Sequence, residues 1–165
     1  MKTKRFSRHF VKVYIYKVSK HELKRHNKTL LLYHLVFPLK YRKKAISKGI
    51  GESLKDICIG ISDRYEVQFL EIGYESDHVH FLVQSVPNYS VSEMVRTIKS
   101  ITAKQLFQRH PELRELLWGG KFLTSGYYAN TVGQYANEEV IRKYVENQGM
   151  EKDYTKIHED QLKLF

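Results

Sequence analysis

Residues 67–74 (VQFLEIGY) and 79–85 (VHFLVQS) are two apolar runs separated by little more than the polar triplet Glu75-Ser76-Asp77. β-Branched and aromatic residues are frequent in both, as in half-buried strands. A connection this short cannot carry a crossover, so the strands must pair antiparallel as a hairpin. A chain with such a hairpin at its centre is committed to an antiparallel sheet, and its flanking segments must cover a face of that sheet.

The flanking segments supply the cover. Residues 30–37 read as a buried strand ended by Pro38, followed by the cationic cluster Lys40, Tyr41, Arg42, Lys43 and Lys44. Leu54, Ile57, Cys58 and Ile61 recur at helical spacing. Ser90 and Glu93 form a capping-box pattern. Behind it Val91, Met94, Val95, Ile98 and Ile101 make an apolar helical stripe, while Arg96, Lys99 and Lys104 leave the helix's other surface basic. A loop surrounds Trp118-Gly119-Gly120, and residues 127–132 read as a last strand. Asn137 can cap a final helix, with Glu138 and Glu139 in its positive first turn and Gly149 as its stop.

The order is strand, helix, strand, strand, helix, strand, helix. Its first six elements predict an α+β fold, a ferredoxin-like (RRM-like) sandwich with helices on one face of an antiparallel sheet. The seventh is an added C-terminal helix. Residues 1–28 form a basic N-terminal extension with strand character at Val11, Val13 and Ile15, read either as an arm for DNA or a partner subunit, or as a tail. Residues 29–165 form one domain, of ordinary size.

Charge narrows the partners. Lys and Arg number 28 against 18 Asp and Glu, a formal net charge of +10. This excess favours a polyanion through long-range attraction and counterion release. Twelve Tyr and eight Phe add aromatic faces on which unpaired bases stack. The single cysteine, Cys58, excludes an internal disulfide and reads as a small core residue, not a nucleophile. No secretory h-region follows the basic start, and no apolar run is long enough to span a bilayer. A cytoplasmic location is expected, with no membrane partner.

Two patterns carry chemistry. In Asp77-His78-Val79-His80-Phe81, residues two apart share a strand face, so His78 and His80 present two imidazoles together. Such a pair can chelate one divalent ion, or can be an ordinary solvent-facing or satisfied pair on an edge strand. In Tyr144-Val145-Glu146-Asn147-Gln148, Tyr144 and Gln148 share a helix face. A tyrosine on an apolar helical stripe is usually core, but a phosphate polarised by a nearby metal would give it a role as nucleophile.

DHVHF, LWG, GYYANTVG and EEVIRKYVENQ, in that order, together with YHLVFPLKYRKK near the start, resemble one family. It is the single-strand tyrosine transposases of the two-hundred/six-hundred-and-five insertion-sequence group, within the HUH endonucleases. The resemblance covers roughly residues 28–150. It implies that His78 and His80 ligate a metal, that Gln148 adds a third ligand through its amide oxygen, and that Tyr144 is the nucleophile, on the C-terminal helix. Imidazoles alone would suggest zinc; the resemblance implies Mg²⁺ or Mn²⁺. It further implies single-stranded DNA with hairpin ends as substrate, a 5′-phosphotyrosine intermediate, and a homodimer with joined sheets and composite active sites. Asp77 can be read as orienting a ligand or as an ordinary hairpin residue, and the latter is preferred.

Other functions suit the same composition. A non-catalytic module binding single-stranded nucleic acid would share the basic charge and aromatic strands, but leaves the coincidence of His78, His80, Tyr144 and Gln148 unexplained. A relaxase or replication-type nuclease would share the chemistry. Formation of a denaturant-resistant DNA adduct separates the enzymes from the binding module.

Overall fold

A computed structural model describes residues 11–14 and 21–132. The chain runs β1 (Val11–Tyr14), β2 (Glu22–Lys24), β3 (Asn27–Thr29), β4 (Leu31–Pro38), a 3-10 turn (Lys40–Arg42), α1 (Lys48–Arg64), β5 (Gln68–Tyr74), β6 (His78–Ser85), α2 (Val91–Arg109), α3 (Leu113–Leu116) and β7 (Tyr128–Val132). Five strands form one antiparallel sheet in the order β1-β5-β6-β4-β7. Without β1, the β4-α1-β5-β6-α2-β7 order is the ferredoxin-like split βαββαβ expected from the sequence. The proposed final helix, with Tyr144 and Gln148, lies outside the described residues.

Val11–Tyr14 is a strand of this sheet, paired with β5 along its outer edge. The segment before β4 also contains the small β2–β3 hairpin, a pattern too short and polar to read in the sequence. The expected central hairpin is present, with Tyr74 paired to Val79. Its turn is pinned from outside by Leu39 N–H donating to Asp77 O (2.8 Å) and Ile46 N–H donating to Ser76 O (2.9 Å).

Alternation along the strands divides the sheet into two faces. Leu35, Phe37, Phe69, Ile72, Val79, Phe81 and Val83 join one core with the apolar stripes of the helices, Ile50, Leu54, Ile57, Cys58 and Ile61 from α1 and Met94, Val95, Ile98 and Leu106 from α2. The register slips between Phe69 and Glu71 on β5, so Leu70 is the extra residue of a bulge. The slip keeps Phe69, Ile72 and Tyr74 in the core and gives Glu71 and Gly73 to the second face. Helix α2 starts on the complete Ser90–Glu93 capping box that its sequence announces. Burial holds the Cys58 thiol well above its usual pKa, as expected of a core residue.

The second face has a different composition. A small apolar cluster of Leu32 and Leu82, flanked by Leu30, Leu70 and Val132, lies next to His34, His78, His80, Gln84 and Glu71. These polar residues are buried, and so is every residue of β6.

Candidate metal centre on the second face

His78 and His80 stand on one face of β6 as their spacing requires. Their rings meet edge to face with centroids 4.9 Å apart. The expectation of a solvent-facing pair on an edge strand is corrected by the structure. Strand β6 is the middle of the five, and the two histidines are only 1% and 6% exposed. Burying polar rings is costly unless partners hold them.

Each ring is held through its Nδ1. His78 Nδ1 lies 2.7 Å from Asp77 Oδ1, and the other carboxylate oxygen, Oδ2, receives Arg42 Nη2 at 3.1 Å. A carboxylate offers only acceptors, so Nδ1 carries the hydrogen and, in the neutral ring, the buried Nε2 keeps the lone pair with which imidazole ligates metals. Asp77 is therefore no ordinary hairpin residue; it fixes a histidine tautomer, as outer carboxylates do at metal sites. A carboxylate directly before the first histidine, Asp77-His78, was the sequence signal for it.

His80 is held by a residue the sequence reading did not single out. His34 Nε2 lies 3.2 Å from His80 Nδ1, and the two rings stack at 5.4 Å with planes 14° apart. His34 pairs with Leu82 and Val36 pairs with His80, so the two histidines are diagonal neighbours across β4 and β6. Only that register brings them together, which is why His34 looks like a stray polar residue within YHLVF. Burial pushes the His34 pKa down to about 4. Burial, with His78 and His34 beside it, holds His80 well below its usual value. Both rings are thus neutral near pH 7, the form in which imidazole ligates metals.

With both Nδ1 atoms engaged inside the protein, two imidazoles side by side on one strand face form a donor set that fits a divalent cation. A second grouping overlaps this pair: Glu75, Asp77 and His78 place one ligand atom each within 4.8 Å of one another. The histidine pair is the better donor set, because Asp77 already has both its oxygens occupied by His78 and Arg42. Gln148, the expected third ligand, and Tyr144, the expected nucleophile, lie outside the described residues.

Similarity to known proteins gives the family. The family profile described as "Transposase IS200 like" matches residues 27–148, which contain all four expected site residues. The chain belongs to the IS200-like transposase family. It is 31% identical over 118 residues to the ISDra2 transposase TnpA of Deinococcus radiodurans, covering 72% of this chain and 84% of that protein. It is 30% identical over 125 residues to the transposase for insertion sequence element IS200 of Salmonella typhimurium, covering 73% and 78% respectively. A crystal structure of a Deinococcus radiodurans R1 protein solved as a transposase superposes with a TM-score of 0.63 at 28% identity, over 77% of this chain and 97% of that one. This IS200-like chain thus shares both fold and family with transposases. Among the described residues no helix is long and apolar enough to cross a membrane.

Proposed function

We propose that this IS200-like transposase cleaves and rejoins single-stranded DNA at the ends of an insertion sequence, through a 5′-phosphotyrosine at Tyr144. The observation that carries the reading is the buried His78–His80 pair, with Asp77 at the Nδ1 of one ring and His34 at the Nδ1 of the other. An outer partner on the second ring nitrogen is the arrangement that metal-ligating histidines share.

His78, His80 and Gln148 would hold Mg²⁺ or Mn²⁺. The bound ion would supply Lewis-acid polarisation of the scissile phosphate. Tyr144 Oη attacks phosphorus, and the bond from phosphorus to the 3′-oxygen breaks. That oxygen leaves as a hydroxyl, taking up the equivalent of the proton that Tyr144 gives up. A different 3′-hydroxyl then attacks the phosphotyrosine, restoring a phosphodiester and returning Tyr144 to the phenol, so no nucleotide cofactor is consumed. Asp77 keeps His78 in its ligating tautomer, and His34 holds the orientation of the His80 ring.

A homodimer fits this scheme, with the histidines of one subunit and Tyr144 of its partner making each site. Mixing His80→Ala and Tyr144→Phe chains should then restore one working site per heterodimer, whereas sedimentation as a monomer at micromolar concentration would refute the dimer. The chemistry itself is tested on a denaturing gel with a hairpin oligonucleotide carrying a single-stranded flank. The expected result is a covalent protein–DNA band with Mn²⁺ or Mg²⁺, none with EDTA, and none from His80→Ala or Tyr144→Phe. A metal-independent band, or none under any condition, rejects the reading.

A further inference from the structure

We propose that the groove between α2 and the segment 114–127 is a binding site for single-stranded DNA, in which one unstacked base lies on the indole of Trp118. The proposal rests on the single-strand reading above and assigns a part of the strand to a surface on the opposite side of the sheet from the histidines.

The groove has a volume of about 900 Å³, and its charged lining is of one sign: Arg96, Lys99, Lys104, Arg114 and Lys121, with no carboxylate. Among the described residues no ion pair involves any of these five side chains. Arg96 has Glu93 nearby, but Glu93 is occupied in the Ser90 capping box. Lys99 is the most constrained. Its Nζ donates to Ser125 O (2.6 Å) and Gly126 O (3.3 Å) and lies over the Tyr127 ring at 5.1 Å. Burial, and the nearby charge of Lys121, bring its pKa down to about 8. Gathering like charges along one concavity is unfavourable without an anion between them, and phosphates are the anions that a strand delivers in series.

Trp118 supplies the base platform. It is 67% exposed although Tyr41 is stacked against it, with centroids 5.0 Å apart and planes 24° apart. Lys40 in turn lies over the Tyr41 ring at 4.8 Å. Tyr41 and Arg42 both adopt left-handed backbone conformations, with φ of 59° and 53°. Such conformations are uncommon for residues with a Cβ and persist where surrounding structure holds them for a purpose. Here the turn delivers Tyr41 to Trp118 and Arg42 to Asp77. On the far side of Trp118, Gly119 and Gly120 turn the chain with φ of 88° and 69°, which glycine alone accepts readily. The result is a rigid aromatic stack with an open outer surface beside a row of cations, the combination on which unpaired bases and their phosphates settle. A duplex keeps its bases stacked on one another and has none to offer.

The groove also lies within reach of the histidines. Tyr127 lines it from the helix side of the sheet, while Tyr128, the first residue of β7, meets His34 edge to face on the other side at 6.4 Å. Only the start of the edge strand separates the two, so one DNA strand can occupy the groove and continue round β7 to the metal centre.

Trp118 is the chain's only tryptophan, which makes its fluorescence a direct report on the groove. The full chain is titrated with an oligothymidine of about ten nucleotides, within the usual span of single-strand sites, and with a duplex of the same length. The expected result is saturable quenching by the single strand and little by the duplex. Trp118→Ala should weaken binding, followed by anisotropy of the labelled oligonucleotide, by about 5- to 150-fold, the loss expected for one stacked base. Trp118→Phe, which keeps an aromatic face, should recover most of it. The pair K104E/K121E should weaken binding further and lower the salt dependence by about 1.4 logarithmic units per tenfold change in salt, the contribution of two single-strand phosphates. If the oligonucleotide binds by anisotropy but neither quenches Trp118 nor responds to Trp118→Ala, the groove assignment fails while the transposase reading stands. Equal quenching by duplex overturns the single-strand assignment. No binding of single strands at all removes both.

Discussion

Asp77 is where the account of the metal centre is most exposed to test. Replacing it with Ala removes two interactions at once, and the structure tells them apart in size. The Arg42 guanidinium at 3.1 Å is 41% exposed, so its pair with Asp77 is screened and contributes about 0–1 kcal/mol. The hydrogen bond to His78 Nδ1 is different, because that ring is 1% exposed and its donor loses the carboxylate that faces it. Loss of a partner at a buried polar group costs about 1–3 kcal/mol. Asp77→Ala should therefore destabilise the fold by about 1–3 kcal/mol in urea unfolding, whereas Arg42→Ala should cost less than about 1 kcal/mol. For metal affinity, loss of the outer partner of a ligating histidine typically costs about 10- to 100-fold, or about 1.4–2.8 kcal/mol. Calorimetric titration with Mn²⁺ measures this directly. Asp77→Asn keeps an oxygen acceptor without the charge and should fall between parent and Ala in both assays. An Asp77→Ala chain with parental Mn²⁺ affinity and parental stability would refute the claim that this carboxylate positions His78.

Other outcomes follow from the same geometry. A Cβ at Gly51 would overlap the Tyr74 ring, so Gly51→Ala should lose about 1–3 kcal/mol in thermal or urea unfolding despite the roughly 1 kcal/mol helix-propensity gain; unchanged or raised stability would show that the core between α1 and β5 yields easily. Acid should destabilise the metal-free chain. His34 titrates near 4 when folded but near 6.5 when unfolded, so between these values the unfolded chain binds the proton and the native one does not. Stability is then complete above about pH 6.5 and falls towards pH 4, by up to about 1.4 kcal/mol per pH unit for His34, with His80 acting in the same direction. Urea midpoints measured from pH 7 to 5 should fall, and His34→Gln should flatten the curve; a flat parental profile contradicts the buried, neutral assignment.

The sheet was legible because its signals are local. The hairpin, the capping box at Ser90 and the two apolar helical stripes each lie within a few consecutive residues, and the structure places them where the patterns end. Helix α1 extends further than its stripe, from Lys48 to Arg64, because Ser47 caps a first turn in which glycines interrupt the apolar pattern. The contribution of Val11–Tyr14 depends on a partner, β5, far along the chain, and so its strand character was visible but its place was not. The candidate site divides in the same way. His78 and His80 announce themselves by spacing. His34 and Arg42 become part of the centre only through strand register and a strained turn, which no local pattern encodes. Trp118 was visible within a glycine-rich loop, but its role depends on Tyr41 stacking from a distant segment.

The central claim is that Tyr144 forms the covalent bond. The adduct made with a hairpin oligonucleotide and Mn²⁺ can be digested with nuclease and protease, and the modified peptide located by mass spectrometry. Tyr144 stands four residues before Gln148, the spacing that would put both on one face of the helix expected from the sequence, and Tyr135, nine residues earlier, is the strongest rival. Tyr144→Phe removes a single oxygen, so DNA binding should persist while the adduct disappears, and Tyr135→Phe should still form it. The account predicts a nucleotide on the peptide containing Tyr144 and on no other; a nucleotide attached to Tyr135, or to any other residue, contradicts it.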